Sequence, residues 1–188
     1  MSDHEPRVAV LRHLVATIAF RATVAVRGFP VGAAVTAPEG GARTPLELLS
    51  HMADLMQWSA LLVRAEGRAR RALDASWEAA EARLYVGLAA LDDALVAGIA
   101  PDADVDALLQ GPLADALTHV GQLLSMRRLA GAPAAPQRYA RAPIQAGVVG
   151  PEQPGNEPET AGNRCSDDGT RTSDPEPAAP PARRPDEA

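Results

Sequence analysis

The sequence predicts an all-α fold: a four-helix bundle followed by a disordered C-terminal tail. Three observations predict it. Apolar residues recur at helical spacing in four separate stretches. No stretch shows the alternation of a strand. Proline and acidic residues take over after about residue 150. Apolar residues make up 46% of the 188 residues, enough for one core. Much of that share is alanine, so Leu, Val and Met must complete the interior.

The first helix is expected from Pro6 to about Val26. Val8, Leu11, Leu14, Val15, Ile18, Ala22 and Ala25 lie on one side of it, and Gly28 and Pro30 end it. The second helix has a local start signal. Thr44-Pro45-Leu46-Glu47 reads as a capping box, with Thr at the N-cap, Pro at the first helical position and Glu at the third. Leu48, Met52, Leu55, Met56, Ser59, Leu62 and Val63 mark its buried side. The run from Arg64 to Arg71 carries four Arg and reads as a solvated helix end, where the dipole favours cations.

A third helix is expected from Asp74 or Ser76 to just before Gly98, with Trp77, Leu84, Gly87 or Leu88, Leu91 and Leu95 as its stripe. Pro101 and three aspartates then form a loop and a short helical turn ending at Gln110. The fourth helix runs from Pro112 to about Ala130, with Gly131 as its C-cap. Tyr139 to Val149 is a candidate extended segment packed on the helices. The domain therefore covers residues 1–150. Residues 151–188 hold eight prolines and few large apolar side chains, too little burial to offset the entropy of ordering.

Charge is unevenly placed. Up to Gly150 there are 14 Arg against 15 Asp and Glu; from Pro151 on there are 4 against 9. No basic footprint for nucleic acid exists, and 3% aromatic content argues against a base-stacking platform. Every cation is Arg, which excludes Schiff-base lysine chemistry. The lone cysteine, Cys165, forms no intramolecular disulfide and fits a reducing compartment. Asp3, His4 and Glu5 precede the first apolar run, unlike a signal peptide. No uncharged stretch approaches the roughly 20 residues that span a bilayer. A cytoplasmic location, with no membrane and no nucleic-acid partner, is expected.

Chemistry must come from few residues. Of the four histidines, His51 aligns with Leu48 and Leu55 on the second helix, which places it at or near the buried side. On the fourth helix Asp115 precedes His119 by four residues, so both share one face, which Gln122 and Met126 continue. Two imidazoles and one carboxylate make a three-ligand metal site with open positions. Plainer roles exist for each. His51 could hydrogen-bond Glu47 or a carbonyl, Asp115 could complement its helix dipole, and His119 could pair with Asp115 alone. Gln122 is a candidate for orienting a metal ligand. Arg127 and Arg128 are candidates for holding a substrate carboxylate, against a plain role at a helix C-terminus. Trp58 and Trp77 read as core residues or pocket walls. His13 and His4 receive no role.

The segment Thr44-Pro-Leu-Glu-Leu-Leu-Ser-His51 resembles the second-helix motif of the DinB-like superfamily, in which the histidine binds metal. Asp115-Ala-Leu-Thr-His119-Val-Gly-Gln122 resembles the fourth-helix motif of that superfamily, and the similarity in order and spacing spans most of Arg7 to Gln153. The resemblance implies a four-helix bundle holding a divalent ion (Zn, Ni, Fe or Mn) through a histidine triad. It also implies a low-molecular-weight thiol as cosubstrate, S-transferase or isomerase activity on a small-molecule substrate, and a tendency to homodimerise. The chain departs from the family at Asp115, where His is more common. One anionic ligand lowers the net charge of the site, weakens it as a Lewis acid and favours harder ions. Metal-dependent hydrolysis and a non-catalytic helical binding protein with a degenerate site are the alternatives.

Overall fold

The structure, a computed structural model, describes residues 4–38, 40–67 and 71–154. The expected disordered tail, with Cys165, falls beyond these residues apart from its first four positions. The regular elements among the described residues are all helices, with no strand among them. Four long helices, α1 (His4–Val26), α2 (Pro45–Val63), α3 (Trp77–Ala97) and α5 (Ala114–Leu129), are joined by loops and by the one-turn helix α4 (Val105–Leu108). Both α1 and α2 pack against α3 and α5, and the α2–α3 contact is the most extensive.

Local chemistry explains the helix ends. Thr44 Oγ1 accepts from the Glu47 amide and the Glu47 carboxylate accepts from the Thr44 amide, closing the capping box. Ser76 caps α3 and Asp104 caps α4 in the simpler way. Gly28, at φ +69°, turns the chain out of α1 where a side chain would be strained. Between α4 and α5 the backbone makes a wide π-type turn, Leu109–Leu113. Pro112 supplies no N–H there and Gly111 leaves helical geometry (φ −91°, ψ −107°), so an α-helical ladder cannot continue. Regular α5 therefore starts at Ala114 rather than Pro112. The expected helical continuation into the Arg64–Arg71 run is also corrected. α2 stops at Val63, and Ala65 at φ +53° turns the chain away. Arg68 and Arg70 of that run lie outside the described residues.

One apolar cluster fills the interior. Ile18, Leu49, Met52, Met56, Leu84, Leu88, Leu91, Leu95, Leu108, Leu113 and Leu123 are its large, fully enclosed members. Each such side chain contributes about 1.5–3 kcal/mol on leaving water. Trp77 belongs to this core, stacked on Phe29 at 4.4 Å. Gly87 sets the α2–α3 spacing: a Cβ there would sit 2.8 Å from the Met56 Cβ, so the helices approach as only glycine allows. By length and composition α1 is apolar enough to cross a membrane, and 56% of that stretch is buried inside the protein.

The segment after α5 packs on the helices with a single 3-10 turn, Tyr139–Arg141, as its regular structure among the described residues. Tyr139 meets Phe20 edge-on, and the Arg21 guanidinium lies 4.1 Å from the Tyr139 ring centre. Val149 and Gln153 are buried, and Arg27 donates to the Pro151 carbonyl at 2.7 Å. The packed region thus reaches Gln153, three residues past the expected boundary at Gly150.

Candidate metal centre

His51 is the seventh residue of α2, about two turns beyond its capped start, and His119 is the sixth residue of α5. The packing of α2 on α5 brings the two rings to 5.1 Å between centres, inclined at 65°. Asp115, one turn before His119, stands between them. Its Oδ2 lies 3.6 Å from His51 Nε2 and its Oδ1 lies 3.4 Å from His119 Nε2. One donor atom from each residue falls within 4.8 Å of the other two.

These distances decide between the plain and the chemical readings. Charge-assisted hydrogen bonds run at about 2.7–2.9 Å, so Asp115 is well bonded to neither histidine. Donors about 2.1 Å from one ion at tetrahedral angles stand roughly 3.4 Å apart, close to the two spacings seen. His119 is buried, and its Nε2 has no hydrogen-bond partner. Its Nδ1 is held at 2.8 Å by Gln122 Oε1. A carbonyl oxygen only accepts, so Nδ1 is the donor, and in the neutral ring the Nε2 lone pair then faces the cluster, the tautomer a metal ligand needs. Burial, then the positive charges of Arg43 and of His119 when protonated, push the His51 pKa below the usual imidazole value, against the pull of Asp115. A neutral ring is also what a metal requires. The Glu47 partner considered for His51 is engaged elsewhere, in the capping box.

The three donors open into a cavity of about 570 Å³, lined also by Arg43, Asp54, Leu55, Trp58 and Arg71. Trp58 is thus a pocket wall, unlike Trp77. Gln122 sits where the sequence places it, holding His119. Arg127 does not reach the cavity. It donates to the carbonyls of Val24, at 2.7 Å, and Ala132, at 2.6 Å, and ties the end of α5 to the end of α1. Its role is structural, since burial costs the guanidinium hydration that these carbonyls replace. Arg128 is exposed and does not line the cavity either.

Three pocket residues were missed from sequence. Arg43 and Arg71 lie in loops, where periodicity carries no signal. Asp54 interrupts the apolar side of α2, a visible oddity that could have marked it as bonded. It forms an ion pair with Arg83 of α3, and Arg83 also holds Asp74 at 2.7 Å. Comparison of the chain with protein-family models, with curated proteins and with solved structures found no match.

Proposed function

We propose that His51, Asp115 and His119 hold a divalent ion and that the protein is a metal-dependent enzyme acting on a small molecule. The observation that carries this is the buried His119 Nε2, free of any hydrogen bond, facing a carboxylate and a second imidazole at metal-ligand spacing. Native proteins rarely leave such an atom unpaired without a use for it. Bound there, a divalent ion supplies Lewis acidity, lowering the pKa of a thiol or water in an open position. The donor set of two imidazoles and one carboxylate suits zinc, nickel, iron or manganese.

The chain's own residues do the rest. Gln122 keeps His119 in the ligating tautomer. Burial keeps His51 neutral, and Asp115 supplies the anionic ligand. Leu55 and Trp58 offer an apolar wall to a substrate in the cavity. The two motifs shared with the DinB-like superfamily support a thiol-dependent S-transferase or isomerase as the particular activity, and assignment of the helices to that type of bundle. A hydrolase is the second reading, favoured by the 47% exposure of the Asp115 side chain, which leaves water access to the donors. Turnover that requires an added thiol distinguishes the first from the second.

The test is elemental mass spectrometry on the full chain purified without a metal-binding tag, beside His51→Ala and His119→Ala. About one metal per chain, lost in both variants, is expected. No metal after incubation with zinc, nickel, iron or manganese rejects the site.

A further inference from the structure

The cavity that holds the three donors carries two cations with no evident work. Arg43 and Arg71 both line it, both are exposed, and neither makes a hydrogen bond or ion pair with another described residue. Each has a fixed root. Arg43 directly precedes Thr44, whose amide is held by the Glu47 carboxylate. Arg71 directly precedes Ala72, whose amide donates to Asp54 and whose carbonyl accepts from Arg83. The two chain segments therefore present their guanidinium groups from anchored positions on a single pocket.

The charges around that pocket do not balance. Of the two carboxylates that line it, Asp54 is already engaged by Arg83, which leaves Asp115 alone. A dication beside two guanidinium groups and one free carboxylate leaves a strong positive excess, partly screened by solvent. An anion entering the pocket would remove it. Guanidinium is also the side chain best suited to carboxylate and phosphate, which it can bind through paired N–H groups. Leu55 and Trp58 give the same cavity an apolar surface.

We infer that Arg43 and Arg71 form an anion-binding arm of this site, and that its ligand is a small amphipathic anion. The apolar body lies on Leu55 and Trp58, and the carboxylate or phosphate faces the two arginines. This deepens the metal-site reading and rests on it for the chemistry, while the anion-binding arm depends on the arginines alone. Metal and anion occupy the pocket as a positively coupled pair, each raising the affinity of the other by the same factor.

The test uses the full-length protein, zinc-loaded and metal-free, titrated with hexanoate, butyl phosphate and, as neutral control, hexanol. Tryptophan fluorescence reports binding through Trp58, because Trp77 is enclosed in the core, and Trp58→Phe verifies the reporter. Both anions should bind more tightly than hexanol, and more tightly to the zinc form. The double variant Arg43→Gln/Arg71→Gln should weaken both anions tenfold or more and leave hexanol unchanged. Preference between hexanoate and butyl phosphate names the anionic group. Anion affinity unchanged in the double variant, or hexanol binding as well as hexanoate, overturns the inference. Zinc content measured on the same samples separates the two readings. Zinc bound but anion affinity independent of the arginines sinks only the anion arm, and arginine-dependent anion binding by a protein that takes up no zinc sinks only the metal.

Discussion

Two charged clusters lie side by side on α2, one turn apart, and they are opposites. At Asp54 the ionic groups answer one another. Arg83 donates to Asp54 and Asp74, to the Ser50 carbonyl at 2.8 Å and to the Ala72 carbonyl at 3.1 Å. Asp74 donates its amide to Ser50 Oγ at 3.1 Å. Three residues away, at His51, the groups converge without satisfying one another. The Asp115 oxygens stand off at 3.4 and 3.6 Å, and His119 Nε2 is unpaired. Saturated polar clusters secure a fold, and here the network clamps the loop before α3 onto α2. Unsaturated ones that converge, as these do, are suited to a ligand, because a buried polar atom without a partner carries a desolvation cost that binding would offset.

The largest expected effect breaks the saturated cluster. Arg83→Ala leaves two carboxylates, their side chains only 11% and 12% exposed, without their cation. It should cost about 3 kcal/mol, read from urea or thermal denaturation. His119→Ala, at the unsaturated cluster, should change the stability of the metal-free protein by no more than about 1 kcal/mol. Equal losses at the two sites would remove the contrast.

Metal should reverse the ranking. At a hundredfold excess over its Kd, zinc should stabilise the wild type by about 2.7 kcal/mol and leave the melting temperature of His119→Ala where it was. Differential scanning fluorimetry with and without zinc checks this. A zinc shift that survives in His119→Ala would place the metal elsewhere. A smaller effect should follow Gln122→Ala. Without the carbonyl that keeps Nδ1 protonated, zinc affinity should fall about tenfold, measured by competition with a chelating dye. Unchanged affinity would mean that Gln122 does not set the tautomer.

Acid titration should give the smallest effect and separates the clusters by pH window. The folded His51 ring has a pKa below its ordinary value of 6.5. The unfolded chain binds that proton more readily, so stability of the metal-free protein is full above about pH 6.5 and declines below it. Burial pushes the Asp74 carboxyl up, but hydrogen bonds from Arg83 and Ser50 and the Arg83 charge more than offset it and hold the pKa below 3.8. That contribution is present above about pH 3.8 and is lost as pH falls through the folded value. His51→Gln should abolish the upper decline and keep the lower one. Loss of both, or of neither, would contradict the assignment.

Much of the fold is legible in local sequence. The capping box at Thr44–Glu47, the Ser76 cap and the stop at Gly98 involve residues a few positions apart, so short-range chemistry sets them. The helical alignment of His51 with Leu48 and Leu55, and of Asp115 with His119, likewise follows from 3.6 residues per turn. Arg127 stood open between a substrate role and a plain one at the helix end, because its carbonyl partners, Val24 and Ala132, leave no mark in side-chain pattern.

The sequence by itself therefore determined the helices, their caps and which face each candidate donor occupies, since these depend on neighbours within a turn or two. Only the tertiary structure decided that α2 meets α5, so that His51 faces His119 across 68 residues of chain. It also decided that Arg83 neutralises Asp54 from 29 residues away and that Arg43 and Arg71 share one cavity. Those contacts are set by how apolar faces pack and how buried charges find partners, and helical periodicity does not encode either pairing.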